Sequence, residues 1–258
     1  MILVRVEMSD KWVRAQVGGM TVVDTRAPML FWEQEFPVPG YAFAPEDVRM
    51  DLLVPVPQGP DQAEFFFQPK GPVKQWFDLH VDGRVFAGAA WIRDEPEVAD
   101  RIMFTWHPDV MEKWLEEDQE VQSHPRDPHK RVEALPSSRH VRIVLNGVQL
   151  ADTTDPVLLF ETYPPTRFYI PRADVDFAKL SESSNRTHCP YKGQADEYWD
   201  APGVPGVAWS YSHPYPAVGA IKGRISFYNE LVDITVDGVV LPRPESPFSK
   251  EKNRPSSL

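Results

Sequence analysis

One pattern occurs twice in this chain, and that repetition limits its fold more than any other feature. Val13-Arg14-Ala15-Gln16-Val17-Gly18-Gly19 is answered by Val141-Arg142-Ile143-Val144-Leu145-Asn146-Gly147. The match runs on without a gap through Asp24-Thr25, Pro28, Leu30 and Glu33 against Asp152-Thr153, Pro156, Leu158 and Glu161, at a constant offset of 128 residues. Further on, Pro45 and Asp47-Val48 answer Pro171 and Asp174-Val175. Lys70-Gly71 answers Lys192-Gly193, Ala90-Trp91 answers Ala208-Trp209, and Arg101-Ile102 with Phe104 answers Arg224-Ile225 with Phe227. The offset drifts to 122, 118 and 123 in these later matches, as loop insertions require. An internal repeat of this length predicts two modules of one fold in tandem.

The local patterns read as strands. Val141 to Leu145, then Asn146-Gly147, then Val148-Gln149-Leu150 predicts a hairpin, because Asn-Gly supplies the two positive-φ residues of a tight turn. Val232 to Val236, Asp237-Gly238 and Val239 to Leu241 repeat the arrangement, and Val81-Asp82-Gly83-Arg84-Val85 gives the first copy a comparable turn. Val157-Leu158-Leu159-Phe160 suits a strand buried on both faces. Asp109 to Glu117 is the best helical stretch, and Arg172 to Leu180 predicts a helical turn or two after Pro171. The expected fold is therefore mainly β, with little helix. Its organisation is a first module over 1–118, an extended connector over 119–138, a second module over 139–245 and a flexible tail over 246–258. The looseness is expected to begin near Pro242, where proline, serine and lysine dominate.

Composition narrows the function. Hydrophobic residues at 42% and aromatics at 12% describe a globular chain, and 27 prolines favour short strands and ordered loops. A formal charge of −11 argues against a nucleic-acid partner and against an anionic membrane surface. No run approaches the roughly 18 apolar residues of a membrane helix. Met1 to Asp10 has no signal-like apolar stretch, so the expectation is a cytoplasmic protein. One cysteine excludes an internal disulfide and a multi-cysteine zinc site. No phosphate-binding glycine loop is present, so no cofactor is expected. His124, Asp127 and His129 follow no recognised ligand spacing, and no metal site is assigned. Asp174-Val175-Asp176 is a weak signal for metal-dependent chemistry without an upstream glycine-serine loop.

The densest polar run is Thr187-His188-Cys189-Pro190-Tyr191-Lys192-Gly193. A thiolate is a strong nucleophile, and a nearby cation raises its share near neutral pH. Lys192 supplies such a cation, and His188 is a candidate to take or give a proton. Against this, free cysteine is commonly a small buried hydrophobe, and neighbours in a strand face opposite ways. The repeat favours the site: the positions answering Thr187, His188 and Cys189 are Phe65, Phe66 and Phe67. The first copy keeps Lys-Gly and Ala-Trp yet lacks all three polar groups. Arg167 has no charged counterpart and is a candidate for an anionic ligand group. Tyr191, Trp209, Tyr211 and Tyr228 are candidate pocket walls, and Glu161 ends an apolar strand with a counterpart in Glu33.

These residues resemble a known family. Arg139-His140-Val141-Arg142, Phe160-Glu161-Thr162, Pro165 through Val175, Cys189-Pro190-Tyr191-Lys192-Gly193 and Ala208-Trp209-Ser210-Tyr211 are similar to the domain-of-unknown-function family 427. Trp114 to Asp118 with His124-Pro125-Arg126-Asp127-Pro128 resembles the connector of its two-domain members. The resemblance implies a compact β fold like that of methionine sulfoxide reductase B, without that enzyme's zinc cysteines. It also implies a variable residue before the cysteine, which favours Cys189 with Lys192 over His188. The nucleotidyltransferase label carried by part of the family has no support in these residues.

Three readings follow. The first is an enzyme using Cys189 as nucleophile or redox centre on a small molecule. The second is a non-catalytic small-molecule-binding module. The third is a protein-interaction scaffold with the first copy as a lid or docking surface.

Overall fold

Four hairpins turn on residue pairs held in the left-handed region: Gly18-Gly19, Asp82-Gly83, Asn146-Gly147 and Asp237-Gly238, with φ between 49° and 82°. Such pairs match the twist of antiparallel strands, which is why these dipeptides end the strands where they do. The computed structural model describes residues 4–33, 36–60 and 64–249 and divides into two compact units, Met1–Asp127 and Pro128–Leu258. The fold is mainly β, and among the described residues all helical segments are short 3-10 turns. No helix among them is long and apolar enough to cross a membrane.

The first unit holds β1 (Arg5–Met8), β2 (Val13–Val17), β3 (Met20–Thr25), β4 (Met29–Trp32), β5 (Gly40–Ala42) and β6 (Leu53–Val56). It continues with β7 (Val73–Val81), β8 (Arg84–Arg93), β9 (Met103–Phe104), β10 (Lys113–Glu116) and β11 (Gln119–Val121). The second unit holds β12 (Val132–Pro136), β13 (Val141–Leu145), β14 (Val148–Thr153), β15 (Val157–Glu161), β16 (Arg167–Ile170), β17 (Ser181–Ser183) and β18 (Thr187–Cys189). It ends with β19 (Gly193–Ala195), β20 (Glu197–Ala201), β21 (Val204–Ser210), β22 (Ile225–Phe227), β23 (Asp233–Val236) and β24 (Val239–Val240).

Topology repeats as the sequence does. The second unit has a seven-stranded sheet, β12-β15-β16-β22-β21-β20-β17, and a four-stranded sheet, β14-β13-β23-β24. The first unit has the same succession, with its long sheet divided into β1-β4-β5 and β9-β8-β7-β6 and joined at the bridge Phe43↔Ile102. Its four-stranded sheet, β3-β2-β10-β11, matches the other in order. Equivalent β-bulges fall at Ala15/Gln16 and Ile143/Val144. Thr25 donates to Asp47 at 2.7 Å and Thr153 to Asp174 at 2.6 Å, tying each second hairpin strand to the 3-10 turn beyond. Residues 119–138 are not free chain: they give β11 to the first unit and β12 to the second.

Two expectations are corrected. Asp109 to Glu117 is not helical. Lys113–Glu116 forms β10, which pairs with both β2 and β11 and buries Trp114 and Glu116 on alternate positions. Strand pairing on two sides outweighs a weak local helix preference. The looseness expected from Pro242 is absent up to Ser249, because Ser246 donates to Glu230 and the Phe248 ring packs 5.7 Å from that of Tyr228. Residues 250–258 of the expected tail lie outside the described residues. The 3-10 turns Arg172–Asp174 and Phe177–Lys179 form where a turn or two was expected.

Alternation along the long sheet of the second unit separates two cores. Leu158, Phe168, Trp199 and Phe227 face the four-stranded sheet and pack with Val141, Ile143 and Ile234. Val157, Leu159, Tyr169, Tyr198, Trp209 and Tyr211 face the other way, under β19 and the 3-10 segment Pro216–Ile221. Each fully buried apolar side chain contributes about 1.5–3 kcal/mol, so both faces are committed to packing. The corresponding outer face in the first unit holds Phe31, Ala42, Trp91, Val98 and Met103. Charge divides unevenly. Residues 1–127 carry 12 basic and 23 acidic side chains, and residues 128–258 carry 15 of each, so the whole formal charge of −11 belongs to the first unit.

Candidate functional site

The site forms where the tyrosine-rich face of the long sheet meets the hairpin β18–β19. Cys189 ends β18 and pairs with Gly193 at the start of β19. Lys192 N–H donates to the Cys189 carbonyl at 3.2 Å, closing a turn with Pro190 at its second position, where a fixed φ is favoured. Gly193 follows at φ 99°, a conformation side-chain-bearing residues resist. The Lys192 carbonyl accepts from Tyr215 N–H at 3.0 Å, which fixes the turn against the segment beyond β21. In the first unit the matching stretch is a 3-10 turn, Phe65–Phe67.

From this turn Lys192 reaches inward and its ammonium donates to Glu161 Oε1 at 2.6 Å. Both side chains are nearly buried. Burial pulls the Lys192 pKa down, but electrostatic interactions with Cys189, Glu161 and Tyr169 and the hydrogen bond to Glu161 outweigh it and hold the ammonium well above its ordinary value. Cys189 is half-buried and free of any disulfide. Tyr169 and Tyr211 are buried beside the same groups. Burial raises the Tyr169 pKa; the Lys192 charge and the Trp209 hydrogen bond oppose this, and the charges of Glu161 and Cys189 add to it. Tyr211 is raised by burial first and then by Tyr169, Cys189, Tyr198 and Glu161. Both phenols therefore stay protonated and able to donate. Tyr198 Oη lies 2.6 Å from Thr187 Oγ1, which pins the first strand of the hairpin to β20.

The structure gathers Cys189, Lys192, Glu161 and Tyr211. His188 faces the opposite, exposed side of β18, as strand alternation requires. Tyr191 sits half-buried in the turn. Trp209 is buried and donates to Tyr169 Oη at 3.3 Å. Arg167 is committed elsewhere: its guanidinium makes a two-pronged pair with Glu230 at 2.7 and 2.9 Å and donates to Asn229 at 3.1 Å. It also lies within 6 Å of the Trp209, Tyr228 and Phe248 rings. His124 Nδ1 lies 2.7 Å from the Pro125 carbonyl, and Asp127 accepts from Trp32 at 3.1 Å.

Tyr169, Tyr198 and Glu230 went unmarked in the sequence. Strand register supplies the missing signal. Val157 faces Tyr169 as Met29 faces Ala42, and Trp209 faces Tyr198 as Trp91 faces Trp76. Tyr211 likewise answers Arg93. The first unit thus carries Ala42, Trp76, Arg93 and Phe67 where the second has Tyr169, Tyr198, Tyr211 and Cys189.

A family described as Domain of unknown function (DUF427) matches residues 5–117 and again residues 133–238. The chain belongs to that family. No curated protein matches it. Each DUF427 segment coincides with one turn of the structural repeat, and the second contains every residue of the site just described.

Proposed function

We propose that the second unit acts on a small molecule through Cys189, as nucleophile or redox centre. Lys192 supplies the charge that sustains its thiolate, and Tyr211 and Tyr169 stand as neutral donors beside it. The observation that carries this reading is the nearly buried ammonium of Lys192, paired with Glu161 and set in the turn that Cys189 opens. A cation at that place favours the ionised thiol. Cys189 is half-buried and not enclosed, and Glu161 holds the lysine so that its charge stays in place. The first unit, lacking the sulfur and the tyrosines, takes no part in this chemistry.

The test is the rate of iodoacetamide alkylation against pH for the full chain and for Lys192→Met. Methionine keeps the length of the lysine stem and removes its charge. The expected result is slower alkylation of the variant at neutral pH. Superimposable profiles, or a thiol that reacts only after denaturation, reject the proposal.

A further inference from the structure

The first unit has a cavity of its own, of about 560 Å³. Trp76, Trp91 and Phe67 line it. The two indole rings lie 5.6 Å apart and are inclined by 56°, so they meet as two walls of a corner. One wall is held rigidly. A Cβ on Gly59 would fall 2.7 Å from the Trp76 ring, and one on Gly88 would fall 2.3 Å from Pro60, so the loop 59–60 is pressed onto β7 and β8. Gly88 takes φ 55° there, and its N–H donates to Asp78 at 2.8 Å.

The rim is acidic. Glu64 and Asp109 line the cavity with largely exposed carboxylates, and His107 stands between them, 3.5 Å from one and 4.0 Å from the other. His107 Nδ1 also accepts the backbone N–H of Asp109 at 3.2 Å. This rim lies on the unit that holds the entire net negative charge of the chain. Aromatic faces and acidic groups around one cavity select a cation whose shell of water is easily shed, because ring faces attract positive charge most strongly when it is desolvated. A strongly hydrated ammonium fits this setting less well than an alkylated one.

We propose that the first unit binds an organic cation, a quaternary or alkylated ammonium group, in the corner formed by Trp76, Trp91 and Phe67 beneath Glu64 and Asp109. The site is separate from Cys189 and independent of its chemistry.

Calorimetric titration of the full chain with choline chloride and, separately, with 3,3-dimethyl-1-butanol tests this, since the two probes share a shape and differ in charge. Choline is expected to bind at least about tenfold more tightly. Trp76→Leu should abolish that binding while leaving Cys189 alkylation unchanged. Because Trp76 also packs against Gly59, a double variant Glu64→Gln, Asp109→Asn at the exposed rim gives a second measure. It should weaken choline several-fold with no change in melting temperature. Equal affinity for the two probes, no saturable heat with choline, or choline binding indifferent to both variants overturns the proposal.

Discussion

The ammonium of Lys192 donates to Glu161, whereas its counterpart Lys70 turns to the carbonyl of Gln68 and leaves Glu33 to Arg93. The two units share the lysine, the glycine after it and the acid, so the difference arises from the residue that Arg93 replaces. Where the second unit has Tyr211, the first places a guanidinium between Glu33 and Glu95. That cation pairs with the acid from within, and Lys70 meets Glu33 through its backbone N–H, at 3.1 Å from each carboxylate oxygen. In the second unit the acid pairs with Lys192 instead.

Glu161→Gln should therefore act on the thiol in the opposite sense to Lys192→Met. With the carboxylate gone, the ammonium is shared with no acid, and the midpoint of the alkylation profile should fall. The same change leaves a nearly buried ammonium short of its partner, so the second unit should lose about 3–5 kcal/mol. Alkylation profiles and urea unfolding of the variant check both signs. A midpoint that rises would show that Glu161, not Cys189, governs the lysine's position.

Arg167 and Glu230 form the other closed pair, and acid should open it. Burial pushes Glu230 up, but the hydrogen bonds and charge of Arg167 outweigh this and hold its carboxyl below the ordinary value. A carboxyl depressed in the folded state contributes stability that is present above its unfolded value, about 4.3, and lost as pH falls through the folded value. The melting temperature of the second unit should fall on acidification in the wild type. In Glu230→Gln it should start lower, with that part of the pH dependence missing. Parallel curves for the two proteins would sink the assignment.

The two equivalent lysines should part company under an acylating reagent. Burial lowers Lys70 to about 8, whereas the negative groups around Lys192 hold it well above its ordinary value. Labelling with an N-hydroxysuccinimide ester across pH 7 to 9, read by peptide mass mapping, should give Lys70 a midpoint of about 8. Lys192 should stay unlabelled over the same range. Equal titration of both would mean that their surroundings are alike.

Gly193→Ala should damage the site through the backbone. At φ 99° an added Cβ is strained, and it would also stand 3.4 Å from the His213 carbonyl. A cost of about 1–3 kcal/mol is expected, with slower alkylation of Cys189 as the turn re-aims Lys192. Unfolding and alkylation measured together check this, and an unchanged alkylation rate would separate the turn's shape from the thiol's environment.

Turn chemistry was readable because it is local. Asn146-Gly147 states its own conformation, and the hairpin follows from it without reference to the rest of the chain. The repeat located Cys189 by contrast with Phe67. Lys113 to Glu116 misled because its strand character comes from pairing with Val13 to Gln16, nearly a hundred residues away. Its counterpart Asp233 to Val236 shows plain alternation, so carrying the repeat beyond Phe104 and Phe227 would have disclosed it. Arg167 was read as reaching for a ligand because its partner, Glu230, is 63 residues distant in sequence and unmarked by any motif. Tyr169 and Tyr198 were invisible for a similar reason: only strand register shows that they stand on one face with Trp209.

The clasp between Thr25 and Asp47, repeated between Thr153 and Asp174, has a practical consequence for any study of this chain. Two copies of one frame in a single polypeptide provide an internal reference in every experiment. A substitution placed at both members of an equivalent pair reports in one half what the architecture demands, and in the other what the chemistry adds.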